Sequence, residues 1–294
     1  MGVGAHKGKA YRLIRVVLAL GVAAFLYWRL STDWPAIAAT RVDSQWLWWS
    51  AVAMSMALTG QVAAWRWNLN QLGEQVGFLN LFRLYYVTNM ARYIPGKWWS
   101  IVGMVAGGAK LGLSPERLSA SVFVGLVSSL VSGLVVGCLG ALAIGQEGML
   151  SASFMVVPVL SLLVMVPPVF RWWSTWILRK LGRDAHIPMI SGHLLWRSVL
   201  HYALVWCFYG TAVGLIAWSV GSESFGLYFA VFPLAYLAGY VALFAPGGWG
   251  VREGAIVVLA GGGSLALAVA LIQRFMLTGF ELVLFGYSIW SWRQ

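Results

Sequence analysis

LFAPGGWGVREGAIV, residues 243–257, places a proline, four glycines, an arginine and a glutamate between two apolar arms. Its surroundings rule out an ordinary surface loop. The 294 residues are 60% hydrophobic and 10% charged, with a mean hydropathy of +0.78, whereas soluble domains carry about 25% charged residues. Several apolar runs reach the roughly 20 residues that cross a bilayer as a helix. The alternating segments of a transmembrane barrel are absent. The chain therefore reads as an all-α integral membrane protein, and 243–257 as a break at membrane depth. Non-helical backbone is tolerated there only inside protein or beside a wet cavity.

A second break, NMARYIPGKWWSIVG at 89–103, has the same character. The two lie in apolar regions 84–112 and 226–263, which are read as re-entrant helical hairpins broken by Pro-Gly. Around them, 13–30, 45–65, 118–144, 150–170, 196–219 and 265–292 are six candidate spanning helices. Pro95-Gly96 and Pro246-Gly247 are 151 residues apart, and the same offset carries 45–65 onto 196–216 and 118–141 onto 269–292. The expected organisation is one transmembrane domain over 1–294, made of an inverted repeat with halves 10–144 and 150–292. Lys7, Lys9, Arg12 and Arg15 put the N-terminus on the cytoplasmic side, where the basic loop 171–193 and the C-terminus also fall.

Lysine and arginine collected mostly in short loops account for the net charge of +11 without nucleic acid as a partner. Tryptophans near segment ends, among them Trp48, Trp49, Trp65, Trp67, Trp172, Trp173, Trp176, Trp290 and Trp292, read as an interfacial belt. Cys138 and Cys207 lie in apolar runs and read as packing residues. His193 and His201 share a helical face, but no carboxylate joins them and no HExxH or CxxC pattern occurs, so neither metal nor cofactor is expected.

The breaks carry the candidate chemistry. Pro95, Gly96, Pro246, Gly247, Gly248 and Gly250 are the structural break. Arg92 and Lys97 flank the first, and Arg252 and Glu253 follow the second. A half-helix starting after each Pro-Gly points its positive end at the interior, and with nearby cations this is an anion-binding arrangement. Asn89 lies one turn before Arg92 and is placed to orient a head group. Arg274 and Glu281 lie seven residues apart on one face of the last span, either as a structural pair or as part of the site. Glu253 is expected to pair with Arg252 or with a cationic head group. Intramembrane charges are costly, which favours function over a plain kink.

N-x-x-R-Y-I-P-G-K at 89–97, A-P-G-G-W-G-V-R-E-G at 245–254 and R-F-x-x-x-G-F-E at 274–281 resemble the flippase-like transmembrane domain of the lysylphosphatidylglycerol synthases, over roughly 10–292. The soluble aminoacyl-transferase domain has no counterpart in these residues, so lysylphosphatidylglycerol synthesis is not expected. The resemblance implies a flippase in a bacterial-type inner membrane, moving an anionic lipid with a phosphate head group. That lipid is a phospholipid or a polyprenyl-phosphate-linked sugar, with a glycosyltransferase as a partner in the second case. An integral membrane transferase acting on a lipid-linked sugar, and an accessory subunit anchoring a glycosyltransferase, stay open. So does a homo-oligomer.

Overall fold

The computed structural model describes residues 31, 35, 40–93, 98–145, 152–180, 190–242 and 245–292. The expected first span 13–30, and Pro95, Gly96 and Lys97, lie outside them. Among the described residues the regular structure is helical. In order it comprises α1 Ser44–Gln71, α2 Phe78–Asn89, a 3₁₀ turn Met90–Tyr93, α3 Trp98–Ala109, α4 Pro115–Ala143, α5 Ala152–Leu163 and α6 Pro167–Lys180. Then follow α7 Gly192–Ser219, α8 Phe225–Val241, a 3₁₀ turn Pro246–Gly248, α9 Val251–Leu259 and α10 Gly263–Trp292. Helices α4, α7 and α10 are each long and apolar enough to cross a membrane, and α5 with α6 adds a fourth such segment if the bent pair counts as one. Helix α1 matches α7 in length at 28 residues, but its tryptophans, serines and glutamines leave it less apolar.

Two expected boundaries shift. The span 150–170 is instead two helices meeting at 79°. Pro167 and Pro168 supply no N–H to the preceding turn, so α5 stops at Leu163 and the chain restarts with proline in the first turn of α6. The basic loop expected at 171–193 correspondingly opens as helix, up to Lys180. The first broken region begins earlier than residue 84, because α2 starts at Phe78 and the loop after α1 shrinks to a few residues.

The helix ends follow from local chemistry. Ser191 Oγ accepts from Leu194 N–H at 3.2 Å and caps α7. Ser114 caps α4, with Pro115 in the first turn. Helices α1 and α7 end alike. Glu74 N–H returns to Leu69 O (3.0 Å) and Gly73 N–H to Asn70 O (3.1 Å), while Ser222 N–H returns to Ala217 O (3.0 Å) and Gly221 N–H to Trp218 O (3.0 Å). These are Schellman closures around a left-handed glycine. Helices α3 and α9 close in the same way, through Gly112 and Gly261.

Lipid tails are as apolar as leucine, so the helices are held by close approach and polar contacts rather than by exclusion of water. Helix α4 presents glycines to its neighbours. A Cβ at Gly133 would fall 3.0 Å from Trp206 of α7, and one at Gly137 would fall 2.6 Å from Leu234 of α8. Helix α1 runs antiparallel to α7. Asp43 N–H donates to Ser219 O at 2.7 Å at one end. Ser50 Oγ donates to Ala212 O at 2.8 Å, and Trp67 lies edge-on to His201 at 4.7 Å further along. Met54, Leu58, Val62, Val213, Ile216 and Phe232 fill the core between α1, α7 and α8. A smaller cluster of Val124, Val131, Met165, Phe170, Leu195 and Val199 seats the α5–α6 elbow against α4 and α7.

Helices α2 and α3 are antiparallel. A Cβ at Gly103 would meet the Thr88 side chain at 3.2 Å, and Ser114, just beyond α3, donates its N–H to Glu74 Oε1, just before α2, at 3.3 Å. Helix α10 packs along α2, α4 packs along α8, and the two 3₁₀ turns touch. Trp48, Trp49, Trp172, Trp176, Trp290 and Trp292 are exposed, as a lipid-facing belt requires. Trp65 departs from that expectation. It is buried, and its indole N–H donates to Ser121 Oγ at 3.0 Å.

Candidate functional site

The second break is built around glycine backbone. Gly247, Gly248 and Gly250 have φ of 59°, 73° and 79°, a left-handed region that side chains disfavour. At Gly248 there is also no space, because a Cβ would stand 3.1–3.2 Å from the Gly239 backbone in α8. The chain thus folds tightly onto α8 before α9 begins. Glu253, at the third position of α9, reaches back to accept the Gly250 N–H at 2.6 Å and so satisfies one of the donors left open at a helix start. In the first half, the 3₁₀ turn Met90–Tyr93 brings Tyr93 against the second break, where a Cβ on Gly247 would fall 2.8 Å from its ring.

Five charged side chains gather here. Arg92 pairs with Glu281, and Tyr93 Oη donates to the other carboxylate oxygen at 2.7 Å. Arg274 lies 3.5 Å from Glu253 and donates to Gly247 O at 3.2 Å. Its guanidinium also sits 4.6 Å from the Trp249 ring centre. Arg252 stacks over Tyr236 at 3.8 Å and makes one long contact, 3.5 Å, to Gly247 O. No carboxylate pairs with Arg252 among the described residues. Arg252, Glu253, Arg274 and Glu281 are all 5% exposed or less, so three buried or half-buried guanidiniums face two buried carboxylates.

Glu253, expected to pair with Arg252 or with a cationic head group, faces Arg274 rather than Arg252. Successive helical residues point about 100° apart. The cap on Gly250 turns Glu253 toward α10, whereas Arg252 turns toward α8 and Tyr236. Arg274 and Glu281, expected on one face of α10, do share it, but each serves a different break.

A cavity of about 160 Å³ opens beside the cluster, lined by residues that include Arg92, Arg252, Asn89, Gln61, Tyr236 and Trp206. Among the described residues no aspartate or glutamate lines it. Glu253, Glu281 and Arg274 stand behind the wall, and Arg92 and Arg252 face into it. Asn89 is buried on that wall. Among the described residues, Nη1 and Nε of Arg252, and Nε of Arg92, have no hydrogen-bond partner. Guanidinium nitrogens rarely stay unpaired when buried, so this wall suits an anion. His193 and His201 instead flank the Trp67 ring.

The tyrosines of this wall do not stand out in the sequence. Tyr85, Tyr202, Tyr236 and Tyr240 line the cavity. Gln61 donates to Tyr85 Oη and accepts from Tyr209 Oη at 3.4 Å. A tyrosine within an apolar run looks like an interfacial residue, and the spacing of Tyr236 and Tyr240 was the one available hint that a polar face lined the interior.

The described fold and its buried charge cluster define an α-helical membrane-embedded protein with an internal cationic cavity. A family model, the lysylphosphatidylglycerol synthase TM region, matches residues 12–285, and the chain belongs to that family. No curated protein matches the chain.

Proposed function

We propose that the chain is a translocator of anionic lipids, holding a phosphate-bearing head group between Arg92 and Arg252 while the tails stay in the bilayer. One observation carries this reading: Arg252 is buried on a cavity wall and, among the described residues, has two unpaired nitrogens and no carboxylate partner. Keeping such a charge at membrane depth is costly unless a ligand meets it. The cavity volume, about 160 Å³, is below the ~300 Å³ of sites that enclose a whole drug-sized ligand, so it suits a head group rather than a complete lipid. The family's name links it to lipid handling.

The architecture we propose is an inverted repeat of halves 10–144 and 150–292 within one transmembrane domain, with six spans and two re-entrant hairpins. It is supported by the matched helix lengths and glycine closures of α1 and α7, and by the way α10 lies on α2 as α4 lies on α8. Rocking of the halves would expose the cavity to each side in turn. The setting is an inner membrane with both termini cytoplasmic.

The test is reconstitution in vesicles containing a trace of fluorescent phosphatidylglycerol, with quenching of the outer leaflet. Wild-type protein is expected to move the lipid. Arg252→Ala is expected to slow movement at least about tenfold, the loss of one charge-assisted contact. Equal rates would remove Arg252 from the site and the proposal with it.

A further inference from the structure

We infer that Asn68, Ser198 and the Tyr202 hydroxyl hold internal water, at a site that continues the cavity by one turn toward the end of the bundle where α1 stops and α4 and α7 begin. The site stands whatever the cavity carries, and only its role in transport rests on the translocator proposal.

Three helices each extend the cavity wall by one turn with a polar residue. On α1, Gln61 and Trp65 line the cavity, and Asn68 follows on the same face. On α4, Gly125 and Ser129 line it, and Ser121 precedes them by a turn. On α7, Tyr202 and Trp206 line it, and Ser198 precedes them. Asn68, Ser121 and Ser198 are all 0% exposed. Ser121 is satisfied, since it accepts from the Trp65 indole at 3.0 Å and donates to Leu118 O at 2.7 Å. Among the described residues, neither Oδ1 nor Nδ2 of Asn68 has a partner, and nor does Ser198 Oγ. Asn68 and Tyr202 meet over Gly125, where a Cβ would fall 2.7 Å from Tyr202 Oη and 3.6 Å from Asn68 Nδ2. The antiparallel register of α1 on α7, set by Ser50 on Ala212 and by Trp67 against His201, puts Ser198 level with Asn68.

Buried polar groups in folded proteins are paired, with protein or with ordered water. An asparagine open at both ends needs a donor and an acceptor together. A cation would answer Oδ1 and leave the amide N–H groups bare, and an anion would do the reverse. Water answers both, and in such positions it makes about three hydrogen bonds. The Tyr202 side chain also lines the cavity, so water at this site joins the solvent of the cavity. Its role in a translocator is to meet Arg92 and Arg252 with solvent between one head group and the next, which spares the cost of bare guanidiniums.

Water-edited solid-state NMR of the full chain in lipid bilayers, labelled with nitrogen-15 asparagine, reads the site directly. Asn68, Asn70, Asn80 and Asn89 are the asparagines of the chain, and the Asn68 amide signal is the one lost in Asn68→Leu. Asn70 and Asn80 are exposed and set the rate of transfer from solvent. Transfer to the Asn68 amide is expected within about fivefold of theirs, and slower transfer overturns the inference. Ser198→Ala removes a hydroxyl without adding bulk. It is expected to lower the melting temperature by about 2 °C or more if the hydroxyl is paired with water. An unchanged or raised melting temperature marks a dry hydroxyl and overturns the inference as well. In vesicles, Asn68→Leu is expected to slow movement of labelled phosphatidylglycerol at least about threefold, and an unchanged rate overturns the role in transport. Wild-type protein that moves no lipid while the Asn68 amide exchanges magnetisation with water leaves the water site standing and overturns the translocator proposal instead.

Discussion

Glu281→Gln isolates the contribution of the buried ion pair. Glu281 is 1% exposed, and it answers both Arg92 and the Tyr93 hydroxyl. The amide keeps the shape and one acceptor but removes the charge, leaving Arg92 as a second guanidinium without a counter-ion beside Arg252. Breaking a buried pair from one side costs roughly 3–5 kcal/mol. Because the Arg92 side chain keeps 17% of its exposure, the lower end is expected, about 3 kcal/mol. Removing both charges, as Arg92→Met with Glu281→Leu, is expected to recover at least about 2 kcal/mol of that loss, since no bare charge then remains. The assay is unfolding in mixed micelles titrated with denaturing detergent, carried out as a full double-mutant cycle. A loss under about 1 kcal/mol for Glu281→Gln, or strict additivity across the cycle, would refute the premise that the pair is shielded from water.

Other positions make contrasting expectations. Gly248→Ala combines a left-handed backbone with a Cβ pressed on Gly239, so a loss of about 2 kcal/mol or more is expected in the same unfolding assay. Arg117→Ala breaks a pair with Glu74 whose arginine is exposed to solvent and should cost less than about 1 kcal/mol. A larger loss there would mean that the loops at this end are packed far more tightly than the pair's exposure indicates.

Much of the site could be read from the sequence because it was written in residues that a lipid-facing helix avoids. Pro246, Gly247, Gly248 and Gly250 marked the second break without any partner being known, and Arg92, Arg252, Arg274 and Glu281 were visible as charges in apolar runs. Their pairing was not legible. Arg92 and Glu281 are 189 residues apart, and nothing local to either selects the other. Glu253 reads as a partner for its sequence neighbour Arg252 or for a cationic head group, but a helix turns neighbours apart and the Gly250 amide claims one of its oxygens. The tyrosines stayed hidden because hydropathy treats an inward ring and an interfacial ring alike. The elbow between α5 and α6 is legible in principle, since Pro167-Pro168 cannot continue the helix, but the run around it is apolar enough to read as one span.

One consequence follows from the spacing of Arg274 and Glu281 along α10. A single rod holds one of its charges for the turn at Met90–Tyr93 and the opposite charge for the start of α9. Neither segment can slide past that rod without stranding an ion in an oily setting. The two breaks are thereby yoked, and a shift of α10 by one helical turn would unseat both partners together.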